Sequence, residues 1–341
     1  MKLSDFQFEL PADLIARYPE KRRSESRLLC LDQGEGIAHR RFYQLVELLQ
    51  PGDLLVFNDT KVIPARIFGQ KTTGGQVEIL VERILDETRL LAQVRVSKPP
   101  KIGDELLFPE HIRLRVIGKQ DQFYELSYEA GDRTILAVVE HIGHIPLPPY
   151  MQREPDETDK VRYQTVYAKF KGSVAAPTAG LHFDEALLQT LKEKQIDMAY
   201  LTLHIGAGTF MPVRVPNLLE HKMHAEYLDV SSFLCEKIKA TKARGKRVVA
   251  VGTTSLRALE SASQSGEIKP YQGETNIFIY PGYQFRTADA LITNLHLPGS
   301  TLLMLVSAFA GHKKVMHAYR AAVANRYRFY SYGDAMWMVR A

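Results

Sequence analysis

The stretch GKRVVAVGTTSLRALESA, residues 245–262, has the form of a buried strand that passes through a short polar loop into a helix. Apolar residues fill 248–251, and the hydroxyl residues Thr253, Thr254 and Ser255 are natural caps for the helix that follows. Because continuous apolar runs are typical of strands buried on both faces, this stretch predicts a layered α/β domain.

Two other stretches repeat the strand, loop and helix pattern: DMAYLTLHIGAGTF at 197–210, and ADALITNLHLPGSTLLMLVSAFAG at 288–311. In the second, Ser300 or Thr301 is positioned to cap the helix. Ligands of open α/β sheets bind at the carboxyl ends of the strands, so we expect a site where these loops meet.

Between these α/β segments and the N-terminus the pattern changes. Four runs with period-two alternation, separated by turn residues, predict an all-β barrel or sandwich: QVEILVERI, RLLAQVRV, IRLRVIG and FYELSYEAG. We therefore predict a layered α/β main domain with an inserted small β-barrel domain. The predicted boundaries are 1–68 for the first part of the main domain, 69–147 for the barrel and 148–341 for the second part of the main domain.

Composition places the chain among globular proteins. It has 341 residues, of which 45% are hydrophobic and 24% charged, with a formal net charge of +5. No apolar run is long enough to span a membrane, and the first residues lack a signal-peptide pattern, so we expect a soluble protein. Cys30 and Cys235 fit neither a disulfide framework nor a zinc spacing, which favours a reducing cytosol.

Several loops carry residues that could bind ligands or transfer protons. Gly206 and Gly208 allow a close backbone approach, and Thr209 and Phe210 add a hydroxyl and an aromatic face. The helix start with Arg257 suits a carboxylate or phosphate, although simple capping explains it equally well. His221, His224 and Glu226 suggest a metal, but proton transfer by His224 or Glu226 fits the pattern better.

The chain resembles the S-adenosylmethionine:tRNA ribosyltransferase-isomerases of the queuosine pathway. Seven stretches carry the resemblance, in order along nearly the whole chain: RYPEKRRSESRLL, LLVFNDTKVIPARIFG, SVAAPTAGLHF, LTLHIGAGTFMPVR, HKMHAEY, VGTTSLRALES and TNLHLPGSTLLMLVSAFAG. It implies a cytoplasmic, monomeric enzyme that uses S-adenosylmethionine as co-substrate and has no tightly bound cofactor and no metal. Its other substrate would be tRNA that carries 7-aminomethyl-7-deazaguanine at the wobble position, and its product epoxyqueuosine-tRNA.

This reaction requires a base, a site for an anion and shelter from water. The expected proton-transfer residues are His182, Glu226, His204 and His296, with His182 and Glu226 favoured. In the stretch SVAAPTAGLHFDEALL we expect Asp184 to cap a helix and the small residues before it to leave room for a ligand. The expected substrate-binding residues are Thr178, Gly180, Phe183, Gly206, Gly208, Thr209, Phe210, Thr253, Thr254, Ser255, Arg257 and Asn294.

Two other functions remain open at this point. A metal-dependent hydrolase would use the histidines near Glu226, and a non-catalytic RNA-binding protein would use the β domain. Three basic segments could contact RNA: Arg22 with Arg23, the stretch from Lys237 to Arg247, and the tail NRYRFYSYGD at 325–334.

Overall fold

A computed structural model describes residues 1–31, 36–129, 132–210 and 223–341, except for the side chains of residues 209 and 210. The strands in these ranges are β1 (Arg27–Leu31), β2 (Ile37–Arg41), β3 (Leu54–Asn58), β4 (Thr60–Val62), β5 (Arg66–Lys71), β6 (Gln76–Ile84), β7 (Arg89–Val96), β8 (Glu105–Leu107), β9 (Arg113–Gln120), β10 (Phe123–Tyr128), β11 (Phe170–Ser173), β12 (Asp197–Leu203), β13 (Glu226–Val230), β14 (Val248–Val251), β15 (Tyr271–Thr275), β16 (Ala290–Asn294) and β17 (Ala335–Val339). The α-helices are α1 (Leu45–Leu48), α2 (Ile135–Ile142), α3 (Glu157–Arg162), α4 (Glu185–Glu193), α5 (Ser232–Ala243), α6 (Thr253–Ala262), α7 (Thr301–Ala310) and α8 (His312–Ala324). Within these ranges, no helix combines the length and the apolar character needed to cross a bilayer.

The main sheet has nine strands in the described part of the chain, in the order β15-β13-β12-β3-β14-β16-β17-β1-β2. Its four central strands, β12, β3, β14 and β16, are mutually parallel. Their carboxyl ends therefore meet at one edge, which we call the carboxyl edge. All three strands predicted from the strand, loop and helix pattern lie in this group, so the α/β prediction is confirmed.

The two faces of the sheet are covered by different helices because side chains alternate along a strand. On β3, Leu54 and Val56 pack in the core that contains α6 and α7. Leu55 and Phe57 point to the opposite face, where they pack in the core that contains α4. The result is a three-layer α/β arrangement.

The six strands from β5 to β10 form a closed antiparallel barrel with its own apolar core. Two of the predicted runs, QVEILVERI and RLLAQVRV, coincide with β6 and β7. The prediction of a barrel is confirmed; its first strand begins at Arg66, three residues before the predicted boundary, and the domain boundaries themselves stay a prediction.

Two of the three predicted helix caps are confirmed. Asp184 caps α4 by accepting a hydrogen bond from the Leu187 N–H at 2.9 Å, and Ser300 caps α7 in the same way. The prediction for α6 is wrong, because its N-cap is Gly252, at φ +94°, and no side chain caps it. Ser255 instead donates its hydroxyl back to the Val251 carbonyl at 2.8 Å.

The carboxyl ends of β3 and β12 are joined through one buried side chain. Asn58 accepts from the Leu203 N–H and donates to the Leu203 carbonyl, both at 3.0 Å. Its side-chain oxygen also accepts from the Thr60 N–H at 3.2 Å, and its amide nitrogen lies 3.4 Å from the Thr254 hydroxyl. Asn58 thus fixes the chain on both sides of the edge where the loops begin.

Replacement of Asn58 should therefore destabilise the folded protein. We expect Asn58→Ala to lower the free energy of unfolding by about 3 kcal/mol, since it leaves buried backbone groups of Leu203 and Thr60 without partners. Urea denaturation measures the loss. Asn325→Ala is the control, because Asn325 is exposed and should change stability by less than about 0.5 kcal/mol. Equal losses in the two variants would contradict the role assigned to Asn58.

Candidate active site

His204 follows β12 directly at the carboxyl edge and is held by Thr60 and Tyr227. Its Nδ1 lies 2.7 Å from the Thr60 hydroxyl, and its ring stacks on Tyr227 with the centroids 5.7 Å apart. The tautomer of the ring decides whether Nδ1–H or the Thr60 hydroxyl is the donor in this contact. Burial lowers the pKa of His204, which favours the neutral ring.

Gly172 packs closely against the His204 ring. A Cβ at this position would lie 2.9 Å from Nε2, and the backbone has φ +146°. The lack of a side chain at position 172 therefore lets the imidazole lie against β11, and a larger residue here would crowd Nε2.

A buried ion pair lies on the neighbouring strand. Glu226, at the start of β13, accepts a hydrogen bond from Nη1 of Arg257, and both side chains are about 5% exposed or less. Nε and Nη2 of Arg257 have no partner among the described residues. A buried guanidinium with two unused donors is suited to bind an anion, above all a carboxylate.

The start of α6 adds further donors on the same side of the helix. Thr253 and Arg257 are four residues apart and therefore share a helix face. The first helical hydrogen bond runs from the Leu256 N–H to the Gly252 carbonyl, so the N–H groups of the first three residues precede it. Without a capping side chain, these groups and the positive end of the helix dipole are open to a ligand.

The barrel contributes Glu82, a residue that the sequence did not single out. Its side chain lies under the loop after β12 and accepts from the Gly208 N–H at 3.1 Å. Burial raises the pKa of Glu82, and the charge of Glu226 adds to the shift, while N–H donors at Gly208 and Ala207 oppose it. Alternation along β6 predicts an outward position for Glu82, but the register shift between Val81 and Arg83 leaves it buried, so the strand pattern gives no signal for this role.

The two glycines of this loop make room for protein groups. A Cβ on Gly206 would lie 2.1 Å from a Glu82 carboxylate oxygen, and one on Gly208 would lie 2.6 Å from the His224 ring. We had expected both glycines to admit a ligand; in the structure the space beside each is filled. The side chains of Thr209 and Phe210 lie outside what the structure describes.

His182 is buried behind the carboxyl edge, beside Asn294, and is held through both ring nitrogens. Nδ1 lies 2.7 Å from the Ser26 hydroxyl and Nε2 lies 3.1 Å from the Asn294 amide nitrogen. Burial lowers the pKa of His182 to about 3, and the charges of Arg23 and Arg328 add to the shift. The structure therefore places His182 as a neutral group that joins chain segments, which corrects the expectation that it faces a ligand.

The other residues of the SVAAPTAGLHF stretch pack against the protein. A Cβ on Gly180 would lie 2.1 Å from the Tyr167 hydroxyl, so the small residue accommodates Tyr167 where we expected a ligand. Phe183 is fully buried and packs edge to face on Phe42 and Phe57, which makes it a core residue. Thr178 is half-buried at the start of a 3-10 helix that spans Thr178–His182.

His296 and Asn294 are likewise buried. The Nε2 atom of His296 lies 2.8 Å from the Thr293 hydroxyl, and burial lowers the pKa of His296 to about 3. Asn294 donates to the Tyr330 carbonyl at 3.0 Å, which ties β16 to the C-terminal segment. Both residues lie at the carboxyl edge, but their contacts are with the protein.

The metal hypothesis gains no support from the described residues. They contain no group of three histidine, cysteine or carboxylate side chains arranged to hold a metal ion. His221 lies outside the described ranges, and His224 packs edge to face on Phe123 of the barrel. The carboxyl edge thus carries two groups of candidate residues, which we together call the candidate active site: His204 with its partners Thr60 and Tyr227, and Glu226 with Arg257, Glu82 and the start of α6.

Comparison with known proteins identifies what this chain is similar to. The family model described as queuosine biosynthesis protein matches residues 3–338. Among solved structures, the chain is 36% identical to a crystal structure of an S-adenosylmethionine tRNA ribosyltransferase from Thermotoga maritima, with a TM-score of 0.57. The match covers 98% of this chain and 100% of that protein.

The buried histidines predict how stability depends on pH. Burial holds the pKa of His296 at about 3, well below the value of about 6.5 expected in the unfolded chain. As the pH falls below about 6.5 the unfolded chain takes up the proton first, so the folded state loses stability. We expect His296→Gln to reduce this loss by up to about 1.4 kcal/mol per pH unit between pH 6 and pH 5.

Urea denaturation at a series of pH values provides the measurement. His317→Gln is the matched control, since His317 is exposed on α8 and its removal should leave the slope unchanged. A slope in His296→Gln equal to that of the wild type would show that His296 does not stay neutral in the fold.

Proposed function

The chain belongs to the queuosine biosynthesis protein family, and from this premise we propose that it transfers and isomerises the ribosyl part of S-adenosylmethionine onto tRNA. The acceptor is the amine of 7-aminomethyl-7-deazaguanine at the wobble position. The products are epoxyqueuosine-tRNA, adenine and methionine. The observation that carries the proposal is the buried Arg257, which has two donors without a partner in the described part of the chain and lies beside a helix start with no side-chain cap at its N-cap residue.

Arg257 and the start of α6 bind the carboxylate of the methionine part in this proposal. Glu226 holds one side of the guanidinium, so that Nε and Nη2 are fixed in direction before a ligand arrives. Paired donors in a buried setting form strong hydrogen bonds with a carboxylate. Thr253 and Thr254 lie at the same helix start and contribute their N–H groups.

His204 is the base that we assign to the first step. The positively charged sulfur of S-adenosylmethionine acidifies the neighbouring 5′-methylene, and Nε2 of His204 takes a proton from it. The electron pair left on carbon opens the ribose ring with loss of adenine, which can carry the proton away. The tRNA amine then attacks, and methionine leaves when the last ring closes.

The contacts of His204 support this role better than those of the other histidines. Of its ring nitrogens, only Nδ1 contacts another side chain among the contacts described above, and Nε2 lies beside Gly172, whereas both ring nitrogens of His182 bond to other side chains. In this proposal Nδ1–H donates to Thr60, which leaves the lone pair on Nε2 of a neutral imidazole for proton abstraction. We accordingly favour His204 as the base over His182 and Glu226. His182, His296 and Asn294 instead hold the chain segments at the carboxyl edge in position.

Glu82 positions the loop that follows His204. Its hydrogen bond to the Gly208 N–H joins the barrel to the candidate active site, so the inserted barrel helps to shape that site. We further propose that the enzyme works as a cytoplasmic monomer without a metal or a tightly bound cofactor. The domain boundaries at 68/69 and 147/148 belong to the same proposal.

The most informative assay measures adenine released from S-adenosylmethionine in the presence of tRNA that carries the deazaguanine amine. We expect release with this tRNA and none with tRNA that carries guanine at the wobble position. Release that is independent of the modified base, or no release with the correct tRNA, would contradict the proposal.

Variants at His204 test the assignment of the base. We expect His204→Gln to lower the rate of adenine release by at least about 100-fold while leaving the binding of S-adenosylmethionine within a few-fold of wild type. Gly172→Ala should also lower the rate, because its Cβ would crowd Nε2. His317→Gln is the control and should behave as wild type; a normal rate in His204→Gln would rule out His204 as the base.

A further inference from the structure

The short parallel pair of β4 and β11 presents a basic and aromatic surface beside the candidate active site. Phe170 pairs in register with Thr60, and Lys171 with Lys61. Phe170 is 47% exposed, and the Lys169 ammonium lies 4.9 Å from the centre of its ring. Phe170 thus offers an exposed aromatic face between the exposed residues Lys169 and Lys171.

This surface is directly connected to His204. Thr60, at the start of β4, contacts the Nδ1 atom of His204, and Gly172, on β11, lies against its Nε2. The N–H groups of Lys169 and Phe170 both donate to the Asp59 carbonyl, which follows β3. A ligand bound on Phe170 would therefore lie next to the proposed base.

The lysines of this surface differ in how they are neutralised. Lys61 and Lys169 have no carboxylate within ion-pair distance among the described residues, whereas Lys171 pairs with Glu140 at 2.7 Å. Burial raises the pKa of Asp59, and the charge of Lys169 opposes this shift without forming an ion pair. Lys169 is therefore an available cation next to the exposed ring, and Lys61, which shares the other face of the strand pair with Lys171, is a second one nearby.

The three basic segments that the sequence analysis named as possible RNA contacts are less suitable for binding RNA. In the stretch from Lys237 to Arg247, Arg247 pairs with Asp53, Arg244 with Asp197 and Lys242 with Asp289. These aspartates lie at the amino ends of β3, β12 and β16, which puts the stretch at the edge opposite His204, about 23 Å away along β12.

The basic side chains of the other two segments also contact groups of the protein. Arg326 and Arg328 of the tail pair with Asp13 and Glu20, each at 2.5 Å. Arg23 donates to the backbone carbonyls of residues 161, 162 and 181, and Arg22 pairs with Glu25. In these segments the arginines are already paired with carboxylates or backbone carbonyls of the protein.

We propose that Lys61, Lys169 and Phe170 form the surface that binds the anticodon loop of the tRNA. An unpaired base stacks on Phe170, Lys169 contacts the phosphate beside it, and Lys61 contacts a phosphate further along the loop. Stacking of single-stranded bases on aromatic rings and cations along the backbone are the usual means by which proteins hold such RNA. The inference rests on the proposed function and adds to it the surface that presents the wobble base to His204.

The test measures binding of an anticodon stem-loop RNA by fluorescence anisotropy at several salt concentrations, with the full-length protein. We expect Lys61→Gln and Lys169→Gln each to reduce the slope of log affinity against log salt by about 0.7 to 0.9. Phe170→Ala should weaken binding about tenfold without a change in slope, and Phe170→Tyr should restore it.

Lys246→Gln is the matched control, because Lys246 is a partly exposed lysine without an ion pair among the described residues and lies at the opposite edge. It should leave both affinity and slope unchanged. If the wild type binds the RNA and the Lys61, Lys169 and Phe170 variants bind equally well, the proposed RNA-binding surface is wrong, whereas the proposed function stands. If the wild type itself does not bind the RNA, the proposed function fails and the surface with it.

Discussion

The hydrogen bonds of the Asn58 side chain are the constraint on which the carboxyl edge depends. A buried amide that bonds both the N–H and the carbonyl of Leu203 fixes where β12 ends relative to β3. It also accepts from the Thr60 N–H, and Thr60 in turn holds His204. One side chain thus sets the position of the residue that we propose as the base and of the strand that we propose as the RNA surface.

Burying charged side chains costs free energy, and ion pairs and hydrogen bonds within the fold offset that cost. Glu226 and Arg257 compensate each other, and the backbone N–H of Gly208 partly compensates Glu82. Arg257 nevertheless keeps two donors without partners among the residues that the structure describes. Because buried polar groups are almost always satisfied in native proteins, we propose that a ligand supplies the missing acceptors.

Much of the fold could be predicted from the sequence, because periodicity and caps are local signals. The apolar strands at 197–203, 248–251 and 290–294 and the caps Asp184 and Ser300 are of this kind. The role of Gly180 was missed, since only the tertiary structure shows that Tyr167 fills the space beside it. Glu82 was missed for the same reason: its partner loop is more than 120 positions away in the sequence.

The most direct test of the central claim changes the ligand and leaves the protein intact. Isothermal titration of the wild-type protein compares S-adenosylmethionine with decarboxylated S-adenosylmethionine, which lacks only the carboxylate assigned to Arg257 and the start of α6. Charged hydrogen bonds of this kind are worth about 1.5 to 3 kcal/mol each, so we predict that the decarboxylated ligand binds at least about tenfold more weakly. Equal affinity for the two ligands would contradict the account.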